Sequence, residues 1–154
     1  MAQENKEFLL KALCARIPYN VVGKCEIDAS YDTSFDTIFQ THKFNAVLYG
    51  IKEDLLFVTP LIEDNDEQTF AEEEVADGVA ILDFKPYLFS MSSMTEEKWE
   101  EYQKIRMIDW VHGDINGTFI NAGLIVDWLN KNHFDYHNLI NKNLAIDCTN
   151  LNIY

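Results

Sequence analysis

The segment His133-Phe-Asp-Tyr-His137 holds the residue types most ready for chemistry. On a helix, imidazoles four residues apart share a face, and Asp135 lies between them in sequence as a carboxylate. A metal-dependent enzyme built on His133 and His137 is one alternative; its centre would need at least one more ligand, which an Asp such as Asp127 or Asp147 could supply. The plainer reading makes Asp135 the cap of a last short helix running to about Lys142, which breaks the helix that would pair the two His. The expectation is therefore a cap with partly packed rings at His133 and His137, and no cofactor. Cys14 or Cys148 could pair with His112 or His133 as a thiol nucleophile. A reactive thiolate needs exposure and a depressed pKa, whereas free cysteines are usually buried, so both are expected in the core. His112-Gly-Asp114 opens the turn Gly113–Gly117 and lacks the alternating acids and closing Glu of a calcium loop. No G-x-S-x-G, GxxxxGK[ST], GxGxxG or H-E-x-x-H motif occurs, so no catalytic residue is assigned and the chain leans away from enzymes.

A second constellation is electrostatic. Between Glu63 and Asp77 stand eight acids and no Lys, Arg or His. Self-repulsion makes this a hydrated loop. Its alternative role is to imitate a phosphate row and occupy a nucleic-acid channel in a basic protein, through Glu63, Asp64, Asp66, Glu67, Glu72, Glu73 and Glu74. The whole chain carries 12 Lys+Arg against 26 Asp+Glu, a formal charge of −14. Such a field repels phosphate backbones, excluding direct nucleic-acid binding, and draws in basic partners. The three cysteines without a C-x-x-C spacing fit a reducing, cytoplasmic setting. The first residues are polar and acidic, unlike a secretory leader. No apolar run approaches the ~20 residues of a membrane span.

The elements that must position these groups form one α+β domain over residues 1–154, with a helix and sheet in 1–90 and a helical part in 91–154. Phe8, Leu9, Ala12 and Leu13 give residues 4–16 one apolar helix face, ended by Ile17-Pro18. From Tyr19 to Ile62 short apolar runs alternate with turn residues, among them Gly23, Ala29-Ser30, Asp32-Thr33 and Gly50. This predicts three or four antiparallel strands with a hairpin turn near Lys52–Asp54. Val79–Phe84 adds another strand to a small bent or barrel-like sheet. Lys85–Met94 reads as a connector around Pro86, and Ser93-x-x-Glu96 as a capping box for a helix at about 95–107. Helical spacing returns over Ile120–Asn132, and Leu144–Cys148 reads as a short strand. Trp99, Tyr102, Trp110, Phe119, Trp128, Phe134 and Tyr136 are expected as core between these helices and the sheet, with one or two left as interface anchors.

Three segments in this order, LLKALCARIPYNV (9–21), DFKPYLFSMSSMTEEKWEEY (83–102) and DWLNKNHFDYHNLINKNLAIDC (127–148), resemble a group of small uncharacterised proteins of gut Bacteroidetes and their phages or prophages. Those proteins carry LLKDLCARLPYGV, KPYLRPMSSMTEEE and DWLNxHHFDYRGLIxxGLA. The chain departs from them at Phe89 and His137, where Arg is usual, and at Asn143, where Gly is usual. It is also longer between Ser30 and Asp83. The resemblance implies a phage or mobile-element origin and a host-cytoplasmic location, and brings no activity with it. The expectation is a non-enzymatic interaction or host-modulating factor that binds a host or phage protein, a basic one being favoured, and not a membrane. Exposed edges of a small sheet would also allow a homodimer.

Overall fold

The computed structural model describes residues 2–32, 37–62, 75–107 and 115–154. The chain enters as helix α1 (Ala2–Cys14). Its predicted face is buried at Leu9, Ala12 and Leu13, while Phe8 stays exposed with the Lys142 ammonium 3.6 Å from its ring centre. A short 3-10 turn over Ile17–Tyr19 carries Pro18 at its start, and Asn20 reverses the chain at φ 52. Asn tolerates this left-handed geometry better than most residues.

Among the described residues six strands come next: β1 (Val22–Asp32), β2 (Thr37–Lys52), β3 (Leu55–Leu61), β4 (Val79–Ala80), β5 (Phe84–Leu88) and β6 (Ile146–Asp147). They line up as β4-β3-β2-β1-β5-β6. All neighbours are antiparallel except β5 and β6, which run parallel. The sheet is open and mixed, with β4 and β6 at its edges, rather than a closed barrel. The hairpin between β2 and β3 turns at Glu53-Asp54 as expected, with Glu53 at φ 55. The β2–β3 register shifts between Leu48 and Gly50, and Tyr49 points into solvent there.

Two strand assignments are corrected. The run Val79–Phe84 is not one strand: β4 stops at Ala80, a 3-10 turn takes Ile81–Asp83, and β5 starts at Phe84. The expected connector after it is an interior strand that contains a buried Pro86. A proline cannot donate to the ladder. Here β1 flanks Phe84–Pro86 and β6 flanks only Tyr87–Leu88, so no residue pair demands a bond on both sides of Pro86. Phe84 lies over Gly23 of β1 so closely that a Cβ at Gly23 would meet its ring at 2.3 Å. Glycine at this position is a packing requirement.

One core joins α1 to the sheet and the C-terminal segment, through Leu9, Leu13, Leu48, Leu56, Phe84 and Leu139 among others. Two further helices, α2 (Glu96–Met107) and α3 (Ile115–Lys131), pack on each other, and α2 buries no residue. Thr95 caps α2, its Oγ1 accepting from Lys98 N at 3.3 Å, whereas the Ser93 hydroxyl donates to Ser90 O. The cap is thus Thr95, and the capping box read from Ser93 does not form. Beyond α3, residues 135–142 form successive turns rather than a helix. Asn138 and Asn143 take left-handed φ of 60 and 58. Asn tolerates this left-handed geometry at both positions. Among the described residues no helix is long and apolar enough to cross a membrane.

Candidate binding site

The sequence around residue 133 forms a Schellman motif. Phe134 N donates to Leu129 O and His133 N to Asn130 O, which satisfies the last carbonyls of α3. Glycine is usual at the left-handed position of this motif, yet His133 occupies it at φ 57. The helix ends at Lys131, so His133 and His137 do not share a helical face. Asp135 does cap, but a turn: Oδ1 accepts from Leu139 N at 2.9 Å and Oδ2 from Ile140 N at 2.8 Å. Its carboxylate is thereby committed to backbone. Among the described residues no three His, Cys, Asp or Glu gather as a metal site.

The chain then docks on the sheet. Phe89 N donates to His133 O, Asp135 N donates to Phe89 O, and Cys148 N donates to Leu88 O. These bonds extend the β5–β6 ladder and hold the end of α3 against the sheet. Behind them lies Arg16, which is 0% exposed. Its Nη1 donates to Ala12 O at 2.9 Å and its Nη2 to Phe134 O at 2.8 Å. The guanidinium stands 5.1 Å from the centre of the Tyr136 ring, and Nε has no partner. Burial lowers the Arg16 pKa, opposed by Tyr136 and Asp135. Composition does not reveal this lock, because arginine is rarely fully buried. The available signal is its place directly before Ile17-Pro18, where the first helix ends.

Burial, helped by Arg16, holds the His133 pKa down to about 4, so its ring is neutral near pH 7. That ring stacks on Tyr154 at 3.8 Å with 7° between planes, and its buried Nδ1 lacks a hydrogen-bond partner. The Tyr154 hydroxyl donates to Tyr87 O at 2.8 Å. The half-buried His137 is also shifted down, chiefly by burial and Arg16.

Around these groups opens a cleft of about 460 Å³. Phe89, Phe134, His133 and Tyr154 give it an aromatic wall. Ser93, Thr95 and Lys98 from the start of α2 face Lys131 and Asn132 from the end of α3, and Thr149 completes the rim. Among the described residues no Asp or Glu lines it. The wall belongs to a longer chain of ring contacts, Trp99–Tyr102–Trp128–Phe134–Phe89–Tyr154, with centroid spacings of 5.6 to 6.0 Å. Of the aromatics expected in the core, the described ones divide. Phe134 is buried, but Trp99 is 48% exposed.

The other candidates fare differently. Cys25 and Cys148 are buried, and burial pushes their thiols up to about 12 and about 11, unsuited to nucleophilic work. Cys14 is exposed, contrary to the expected core position. Asp147 accepts from Thr149 and Asp127 from the Tyr19 hydroxyl, so both proposed extra ligands are engaged. The acids Glu63, Asp64, Asp66, Glu67, Glu72, Glu73 and Glu74, the turn residues His112 and Asp114, and Trp110 lie outside the described residues, as does the side chain of Phe119. No protein-family model matches the chain, and neither does any curated protein or solved structure.

Proposed function

We propose that the chain is a non-enzymatic protein–protein interaction module, an accessory or host-modulating factor of phage or prophage origin. The observation that carries the binding role is the ribbon formed by β1 and β2. Their pairing continues from Glu26↔Lys43 to Asp32↔Thr37. The β5 partner stops at Cys25 and the β3 partner at Asn45. Seven residue pairs thus run on with no strand on either side among the described residues, an arm of about 24 Å at ~3.4 Å per residue. A lone two-stranded ribbon is marginal in water. Edges that no strand among the described residues covers suit strand addition by a partner. The charge of −14 favours a basic partner and fast, salt-sensitive encounter.

The test replaces residues 29–40 by an Asn-Gly turn and compares capture from bacterial host lysate by the full and shortened chains. The expected result is a protein retained by the full chain and lost from the shortened one, with unchanged cooperative melting. Equal capture by both chains, or none by the full chain, overturns the reading. A parallel variant converts the acids between residues 63 and 74 to Gln and Asn. Loss of capture in that variant alone, with the ribbon dispensable, would instead favour a nucleic-acid mimic.

A further inference from the structure

The cleft between α2, α3 and the C-terminal segment combines three properties that the interaction reading does not use. Its wall is aromatic, with the His133–Tyr154 stack beside Phe89 and Phe134. Its rim bears Lys98 and Lys131 and, among the described residues, no acid, in a chain with more than twice as many acids as bases. Its volume of about 460 Å³ falls within the ~300–1,000 Å³ typical of small-ligand sites.

We propose that this cleft binds a small planar aromatic anion, a ring carrying a carboxylate or a phosphate. The ring lies against the aromatic wall, where stacking rewards a flat π-face. The anionic group meets Lys98 in the first turn of α2, where the helix dipole adds positive potential, and Lys131 at the end of α3. Lys131 makes no ion pair among the described residues. Lys98 is paired with Glu101 at 3.2 Å, but both are about two-fifths exposed, and such pairs exchange readily for a better anion. The acids in the first turn of α2, Glu96 and Glu97, do not line the cleft.

His133 supplies the independent mark of a site. It is 8% exposed, its Nδ1 lacks a partner, and its backbone sits in the left-handed region. The backbone conformation belongs to the Schellman motif that ends α3, whereas the unpartnered Nδ1 of a nearly buried ring is a feature that packing alone disfavours. The neutral imidazole gives the wall polarity without charge, so the lysines alone provide the positive field.

The test is calorimetric titration of the full chain with adenosine monophosphate and with indoleacetate. Adenosine, indole, inorganic phosphate and acetate serve as the half-ligands. The expected result is saturable binding of at least one complete probe, about tenfold tighter than either of its halves. Which probe binds distinguishes phosphate from carboxylate. Lys131→Glu should weaken it about tenfold, and Thr149→Trp, on the exposed rim, should abolish it while both variants melt as the parent does. Failure of both probes overturns the proposal, as does equal binding of phosphate or acetate alone, or indifference to Lys131→Glu. Because the ribbon variant leaves the cleft intact, this result stands or falls separately from the capture experiment.

Discussion

Arg16→Met tests whether a buried, unpaired guanidinium stabilises this fold. The substitution keeps a long apolar stem and removes the charge. It removes the side-chain donor from Ala12 O and one of two donors from Phe134 O, which still accepts from Tyr136 N at 3.1 Å, in a fully buried site. Ala12 O, left without its side-chain donor, costs about 1–3 kcal/mol; the lost second bond to Phe134 O and the lost contact with Tyr136 add about 1 kcal/mol each. Relief of guanidinium desolvation, and of its unpartnered Nε, acts in the opposite direction. Such relief can win when both members of a buried ion pair are replaced by apolar groups. Here the partners are backbone carbonyls, which no substitution at residue 16 can remove. The net expectation is a loss of about 3 kcal/mol, or about 9 °C in melting temperature for a domain of this size. Arg16→Lys, with one compact head, should retain one of the two bonds and lose about half as much. Urea denaturation at constant m-value and calorimetry would measure both. A Met variant melting within about 2 °C of the parent, or above it, would show that desolvation dominates and would refute the argument.

The geometry sets three other outcomes. His133 holds its proton less tightly in the folded chain, at about 4 against 6.5 unfolded, so stability present above pH 6.5 falls as pH drops towards 4. The loss should reach about 2 kcal/mol by pH 5, and denaturation of His133→Gln across that window should show a shallower slope. Gly23→Ala forces a Cβ into the Phe84 ring and should cost about 1–3 kcal/mol, with partial recovery when Phe84→Leu is added, read by thermal melting. Asp135→Ala frees Leu139 N and Ile140 N and should cost about 2 kcal/mol, with Asp135→Asn keeping part of the difference and amide exchange rising at residues 139 and 140.

The sequence discloses elements whose signal is local. The apolar spacing of Leu9, Ala12 and Leu13 marks α1, and the polar pair Glu53-Asp54 marks the β2–β3 turn. Asp135 is legible as a cap because a short carboxylate bonds nearby N–H groups, though the stretch it caps is a set of turns and not a helix. β5 is hidden because Pro86 reads as a strand breaker, and only the staggered neighbours β1 and β6 make it tolerable. The His133 position is hidden for a similar reason: a left-handed residue ending a helix is normally announced by Gly. The cleft is not legible at all. Its wall draws Phe89, Phe134 and Tyr154 from three separate stretches, joined by the parallel Phe89–Phe134 bridge and the parallel β5–β6 pairing.

The bond from Arg16 to Phe134 spans 118 residues. During synthesis the first helix emerges long before its clasp exists, and Leu139 and Cys148, which complete the interior, come later still. A growing chain must therefore carry a half-covered apolar helix until residue 148 has been made. Truncated or stalled products would expose that surface, which makes them natural clients of chaperones and proteases.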